Sequence, residues 1–246
     1  MIGFNRKLAF KPGRASTVAF LIVFPLLLSL GSWQLDRGKQ KSLLVHQRNE
    51  RTNGPEVALE KLEADLESLR YLPVKISGRY DGDHQFLVDN QSVQMKPGFY
   101  VLTPLVIAGK GIAVLVNRGW VPLGASREIL PDVTLNEAPV SISGIIDAFP
   151  GVGYRIEGAE IPTDTWPAVI QLVDIETLSK TLGYPLLPYQ VLLKNDQSEG
   201  YLRAWESRFT ETITPEKHVG YAVQWFSLGF VLAVIFLWNA FKKNER

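Results

Sequence analysis

Apolar residues are distributed along this chain in two different ways: as unbroken runs near both ends, and as alternating or helically spaced positions between them. Residues 16–35, STVAFLIVFPLLLSLGSWQL, carry no charge over about the twenty residues that a helix needs to cross hydrocarbon. Residues 219–238, VGYAVQWFSLGFVLAVIFLW, repeat the pattern and run into a polar tail, 239–246, with Lys242, Lys243 and Arg246. Both are predicted transmembrane helices. The first exceeds the roughly 7–15 apolar residues of a signal peptide, and no small-x-small cleavage site follows at Gly31-Ser32-Trp33-Gln34. Pro25 inside it predicts a kink of the kind membrane helices tolerate.

Residues 36–215 between the spans are long enough for one compact domain with its own core. Asp36 to Glu50 keeps a helical composition, predicting that the first helix continues as a stalk until Asn53-Gly54-Pro55 breaks it. Val57, Leu59, Leu62, Leu66 and Leu69 then fall at helical spacing behind Pro55 and predict an amphipathic helix. Alternation over Leu72 to Tyr80, an Asp81-Gly82 turn and His84 to Asp89 predict a hairpin. Phe99 to Ile107, the turn 108–111 and Ile112 to Val121 predict a second one. Val140 to Ala148, Val169 to Val173 and Tyr189 to Leu193 are further strands, and Asp174 to Leu182 is a short helix capped by Asp174 and ended by Gly183. Loops are expected at Phe149 to Gly158 and Asn195 to Gly200. The expected class is a membrane α+β protein: two transmembrane helices flanking a mainly antiparallel β domain, as an open sheet or barrel, with a few helices.

Composition narrows the chemistry. Lys and Arg number 26 against 25 Asp and Glu, and no basic stripe interleaved with aromatics marks a nucleic-acid footprint. Cysteine is absent, which excludes disulfides, thiolate metal sites and cysteine nucleophiles. The basic residues flanking the spans nearly tie: Arg6, Lys7, Lys11, Arg14, Lys242, Lys243 and Arg246 on the terminal side, Arg37, Lys39, Lys41, Arg48, Arg203, Arg208 and Lys217 on the domain side. The purely basic flank of the first span favours both termini, 1–15 and 239–246, in the cytoplasm.

The candidate sites are few. Histidine occurs only at His46, His84 and His218. Asp81-Gly82-Asp83-His84 offers metal-ligating types, with a plain hairpin turn as the alternative. His218 falls in the first turn of the second span, behind a Thr214 cap and Pro215 at the first helical position. Helical spacing lines up His218, Tyr221, Ala222, Trp225 and Gly229: a ligand, aromatic faces and small residues, able to seat a flat porphyrin. The alternative is an interfacial aromatic belt with a solvated histidine. Both spans carry Trp and Gln at the domain end, Trp33-Gln34 and Gln224-Trp225, whose polar groups are expected to meet between packed helices. Arg37, Lys39, Arg208 and Lys217 stand ready to receive anionic groups, or form a solvated juxtamembrane cluster. Asn117-Arg118-Gly119 reads as a strand end and turn with Trp120 in the core, or as a docking surface.

Several segments together resemble the Surfeit locus protein 1 family of cytochrome c oxidase assembly factors. They are Gly31-Ser32-Trp33-Gln34-Leu35-Asp36-Arg37, residues 73–80 (PVKISGRY), Thr103-Pro104-Leu105 with residues 114–122 (VLVNRGWVP), and residues 218–226 (HVGYAVQWF), covering the chain from Gly31 to Phe226. The resemblance implies an inner-membrane protein with a periplasmic domain in bacteria, which handles heme a for the largest oxidase subunit, subunit I, without enzyme activity. It makes His218 the candidate axial ligand, with Tyr221, Trp225, Trp33, Gln34 and Arg37 as cofactor-binding neighbours. The farnesyl tail would lie in lipid and the propionates reach Arg37, Lys39 or Lys217. The N-terminal segment lacks the Arg- and Ser-rich character of a transit peptide, so a bacterial source is expected. Two other classes compete: a scaffold whose domain grips oxidase subunits or other assembly factors while the helices merely anchor it and no heme is bound, and an enzyme, for which no nucleophile, base and orienter group together.

Overall fold

The computed structural model describes residues 8–61, 65–124, 127, 129–135, 138–151, 157–205 and 214–243. In chain order its elements begin with β1 (Leu8–Phe10), α1 (Arg14–Thr52), β2 (Val57–Ala58), a single 3-10 turn (Leu59–Lys61), α2 (Leu66–Leu69), β3 (Pro73–Tyr80) and β4 (Phe86–Val93). They continue with β5 (Lys96–Ile107), β6 (Ala113–Pro122), β7 (Pro139–Asp147), β8 (Ala168–Ile170), α3 (Ile175–Leu182), β9 (Leu186–Leu193), α4 (Pro215–Ala240) and β10 (Phe241–Lys243). Two compact units result, residues 1–47 with 210–246, and residues 48–209.

The first unit is helical. α1 runs unbroken through Pro25 and into the expected stalk, and both α1 and α4 are long and apolar enough to cross a membrane. α4 starts as its sequence dictates: Thr214 accepts a hydrogen bond from the Lys217 amide and Pro215 opens the helix. At the opposite end of the pair, β1 and β10 form a short antiparallel ladder, Leu8 opposite Lys243 and Phe10 opposite Phe241.

The second unit is a barrel with an extension. β3 pairs antiparallel with β7, β7 with β9, β9 runs parallel to β6, β6 pairs antiparallel with β5, and β5 returns to β3. This circuit closes the sheet on itself and leaves β2 and β8 as its edge strands. Its interior holds apolar side chains from all five strands, including Val74, Ile76, Leu105, Ile107, Val114, Val116, Ile142, Ile146, Tyr189, Val191 and Leu193. β4 and β8 extend the sheet beyond β5, and their side chains with α3 build a second core around Phe86, Leu102, Leu115, Ile170 and Leu178. The second hairpin appears as expected, β5 turning through 108–111 into antiparallel β6 (Ala113–Pro122), as does α3, capped by Asp174 and ended by Gly183 in the left-handed region.

Two expectations are corrected. No amphipathic helix runs from Val57 to Leu69; the segment is a parallel edge strand, a 3-10 turn and one turn of α2 capped by Asp65, with residues 62–64 outside the described set. The reason lies in β3, whose end at Tyr80 is covered by β5 while its start at Val74 and Lys75 needs another partner, which β2 supplies. Nor does Asp81-Gly82 close a hairpin. β5 spans 12 residues, long enough for β4 to pair with its first half and β3 with its last three residues on the same edge. The chain therefore steps along that edge between β3 and β4 instead of doubling back, and the Asp81 amide donates to the Pro104 carbonyl on the way, at 2.9 Å.

Closure depends on Gly78, which with Arg79 is paired to both β7 and β5. A Cβ there would stand 2.3 Å from the Val106 carbonyl oxygen, so no side chain fits without opening the ring. Gly78→Val is expected to destabilise the chain by about 2–3 kcal/mol, read as a lowered thermal unfolding midpoint; an unchanged midpoint would contradict the closed circuit.

Candidate functional site

The helical unit is organised by a seam. Buried and half-buried residues recur in α1 at Phe20, Phe24, Leu27, Gly31, Gln34 and Gly38, and in α4 at His218, Ala222, Trp225, Gly229, Leu232, Phe236 and Ala240. The alternating three- and four-residue steps are those of two helices packed almost along their lengths. Contacts set the direction. Phe20 stacks on Phe236 with ring centroids 4.3 Å apart, Gly229 faces Phe24, Leu27 and Leu28, and Gln34 meets His218. Sequence number rises on one helix as it falls on the other, so the helices are antiparallel.

Glycine brings the backbones together around Gln34. A Cβ on Gly31 would strike the Phe226 ring at 2.5 Å, and one on Gly38 would lie 3.3 Å from the His218 Cβ. In that gap the His218 Nδ1 stands 2.7 Å from the Gln34 Oε1. This is a short contact for nitrogen and oxygen.

The other expected site residues flank this bond. Arg37 follows Gln34 by three residues and Tyr221 follows His218 by three, so both leave the seam in the same rotational sense. On antiparallel helices that puts them on one face of the pair. Trp33 and Lys217, each one residue before its seam position, share that face, and Trp225 leans toward it. The Arg37 guanidinium lies 5.6 Å over the Trp33 ring and donates to the Gln40 Oε1 at 3.2 Å. Trp33 is 49% and Tyr221 42% exposed, whereas Trp225 is half-buried. The face is thus basic where α4 begins and aromatic further along. Gln224 is corrected: it does not meet Trp33-Gln34 but is exposed, because six residues from His218 carry it about 240° around the helix, onto the stripe of Lys217 at the outer edge of that face. Lys39 is exposed, and Arg208 lies outside the described residues.

The second unit answers the remaining candidates. His84 Nδ1 lies 2.7 and 2.9 Å from the two Asp81 oxygens, its ring stands edge-on to Trp166, and Tyr184 donates its hydroxyl to Asp81 at 2.6 Å. No group of three or more metal-ligating residues exists among the described residues. Asn117 and Arg118 lie inside β6, not at a strand end, and Arg118 is 1% exposed. Arg118 Nη1 donates to the Gln85 Oε1 at 2.8 Å and the Val133 carbonyl at 3.1 Å, its Nε donates to the Glu199 carbonyl at 2.6 Å, and its plane sits 5.0 Å from the Tyr201 ring. Asn117 donates to the Gln190 Oε1 at 3.0 Å. These polar side chains are internal struts and leave nothing for a docking surface, while Trp120 fills the core as expected. Arg203, counted above as a membrane-flanking charge, is instead spent on the Lys194, Asn195 and Gln197 carbonyls. The buried partners Gln85, Thr103 and Gln190 escape sequence reading; the signal available for Thr103 and Gln190 was a polar residue at an inward position of a strand, and Gln85 lies just before β4.

Fold and site define an α+β protein with two apolar, membrane-length helices that meet through a histidine–glutamine contact, and a β-barrel domain inserted between them in sequence. A profile of the SURF1 family matches residues 21–230. The chain is 28% identical over 220 residues to a SURF1-like protein of Rickettsia bellii, covering 88% of this chain and 87% of that one. It is 24% identical over 237 residues to the Surfeit locus protein 1 of Gallus gallus, covering 89% and 72%. The chain belongs to the SURF1 family.

Burial pushes the Tyr80 phenol up to about 12, and its hydroxyl has no partner among the described residues. The Tyr184 phenol is pushed higher still, by burial and then by its hydrogen bond to the Asp81 carboxylate. A phenol whose folded pKa is raised contributes stability that is full below its unfolded value of about 10 and is lost as pH rises through the folded value. The thermal midpoint is therefore expected to fall between about pH 10 and pH 12. Tyr80→Phe should shrink that fall while costing nothing at pH 7, because no hydrogen bond is lost; a pH-independent midpoint across that range would contradict the burial.

Proposed function

We propose that this chain is an assembly factor for cytochrome c oxidase in a bacterial inner membrane, with its domain in the periplasm, which binds heme a on the α1–α4 face for insertion into subunit I. Membership of the SURF1 family supports the general class, and the resemblance of the Gly31–Arg37 and His218–Phe226 segments supports the oxidase. The observation that carries the cofactor is the placement of His218: it heads the seam, its Nδ1 is turned inward to Gln34, and its Nε2 has no partner among the described residues.

The residues fit the group. Heme a offers an iron that takes an imidazole, two propionates and a long apolar tail. His218 would hold the iron. Arg37 and Lys217, at the basic end of the face, would receive propionates through charge-assisted hydrogen bonds. Tyr221, Trp225 and Trp33 would supply aromatic surface to the ring, and the apolar residues beyond them, Leu26 and Leu228 among those exposed, would meet the tail. Binding and handing over a cofactor needs no nucleophile or base in the domain, and the buried polar network of Arg118 is structural.

One observation favours a second reading, a scaffold that grips an oxidase subunit within the membrane. The Gln224 amide faces outward from a helix of membrane length, and hydrocarbon cannot satisfy an amide. Heme content of the purified protein separates the two.

Full chain purified from cells that make heme a is expected to carry a bound heme spectrum that His218→Ala loses almost entirely while remaining folded. A His218→Ala protein with its full spectrum would remove the ligand, and wild-type protein free of heme but bound to subunit I would favour the scaffold.

A further inference from the structure

We propose that Gln34 is the positioning residue of the site: it fixes the proton of His218 on Nδ1 and so presents Nε2 as the ligating nitrogen. The inference deepens, and rests on, the heme reading above. An amide oxygen can only accept a hydrogen bond, so the Nδ1 that stands 2.7 Å from the Gln34 Oε1 must donate. A neutral imidazole protonated on Nδ1 carries its one free lone pair on Nε2, and a metal binds only the nitrogen with the lone pair. The partner on the far nitrogen of a metal-binding histidine orients the ring and sets its tautomer.

The surrounding sequence is built to keep this contact. Gln34 lies on the seam, where its neighbours one helical turn away in each direction are Gly31 and Gly38, and both glycines are buried. Since a Cβ on Gly31 would collide with Phe226 and one on Gly38 would press on His218, the missing side chains let α4 come close enough for a glutamine to reach the ring. Among the described residues His218 is the sole hydrogen-bond partner of the Gln34 side chain. Reversing the amide would make Gln34 donate to Nδ1, place the proton on Nε2 and remove the ligand. The two arrangements therefore make opposite statements about Nε2.

The test uses the full chain in lipid nanodiscs, labelled with nitrogen-15 histidine and free of heme, at about pH 8.5, some two units above ordinary histidine titration. The chain has three histidines, and His218→Ala assigns the one that matters. In the wild type, Nδ1 is expected to resonate as the protonated nitrogen and Nε2 as the unprotonated one. Gln34→Leu, of similar size and apolar enough for the seam, should release the ring to a mixture in which Nε2 is largely protonated. Gln34→Glu, which still accepts, should hold the wild-type tautomer. With added heme a, Gln34→Leu should bind about 10- to 100-fold more weakly. Gln34→Glu should keep near-wild-type affinity while lowering the iron reduction potential, because an anionic partner makes the imidazole a stronger donor. A protonated Nε2 in the wild type, or a tautomer unmoved by Gln34→Leu, would overturn the proposal. Wild-type protein that takes up no heme a would instead sink the heme reading, with the heme-free spectra still deciding whether Gln34 governs the ring.

Discussion

A hydrogen bond of 2.7 Å between Gln34 and His218 demands that two helices from opposite ends of the chain lie side by side in one register. A shift of one helical turn, about 5.4 Å, would break it. Each half of the pair is poorly suited to hydrocarbon alone, since an amide or imidazole without a partner there is costly to bury. The remaining seam residues serve the same register: Phe20 stacked on Phe236 toward the far end, Gly229 against Leu27 in the middle, and Gly31 and Gly38 on either side of the bond. With that register set, Arg37, Trp33, Tyr221 and Lys217 fall on one face by helical geometry alone. The candidate site is thus a consequence of packing, with no loop or insertion needed to build it.

The domain solves a separate problem. Its five-strand circuit encloses apolar side chains, and where β6 carries Asn117 and Arg118 the domain answers with Gln190, Gln85 and backbone carbonyls, so that the buried charge is spread over several acceptors. A fully buried arginine bound mainly to neutral acceptors is a device for specifying one arrangement of strands and loops. It explains why the most distinctive segment of the domain, residues 114–122, carries no exposed chemistry.

Much of this was legible in the sequence because the signals were local. Charge-free runs of membrane length, the Thr214-Pro215 start of α4, the Asp174 and Gly183 boundaries of α3 and the 108–111 turn each depend on a few neighbouring residues, and each appears as expected. The failures are tertiary. Asp81-Gly82 is a good hairpin pair, but a 12-residue β5 can hold β3 and β4 in tandem, and nothing near Asp81 announces that. The true hairpin, between β4 and β5, turns at Gln94 and Met95, both at positive φ without glycine, which hides it from turn chemistry. Val57 to Leu69 has helical spacing, yet the uncovered start of β3 draws Val57 and Ala58 into the sheet. In the site, His218, Trp225 and Gln34 were recognisable by type, but a doubled Trp-Gln pair suggested that like would meet like. The antiparallel register instead opposes Gln34 to His218 and turns Gln224 outward.

That register is the central claim, and the chain's lack of cysteine makes it directly measurable. A Cβ on Gly229 would stand 3.9 Å from the Leu27 Cβ, within the range a disulfide spans. Leu27→Cys/Gly229→Cys protein, oxidised in the membranes of heme-a-producing cells, should cross-link within one chain and retain its bound heme a, whereas Leu26→Cys/Gly229→Cys should not cross-link. Absence of the first cross-link, or a cross-linked chain that has lost its heme a, would contradict the account.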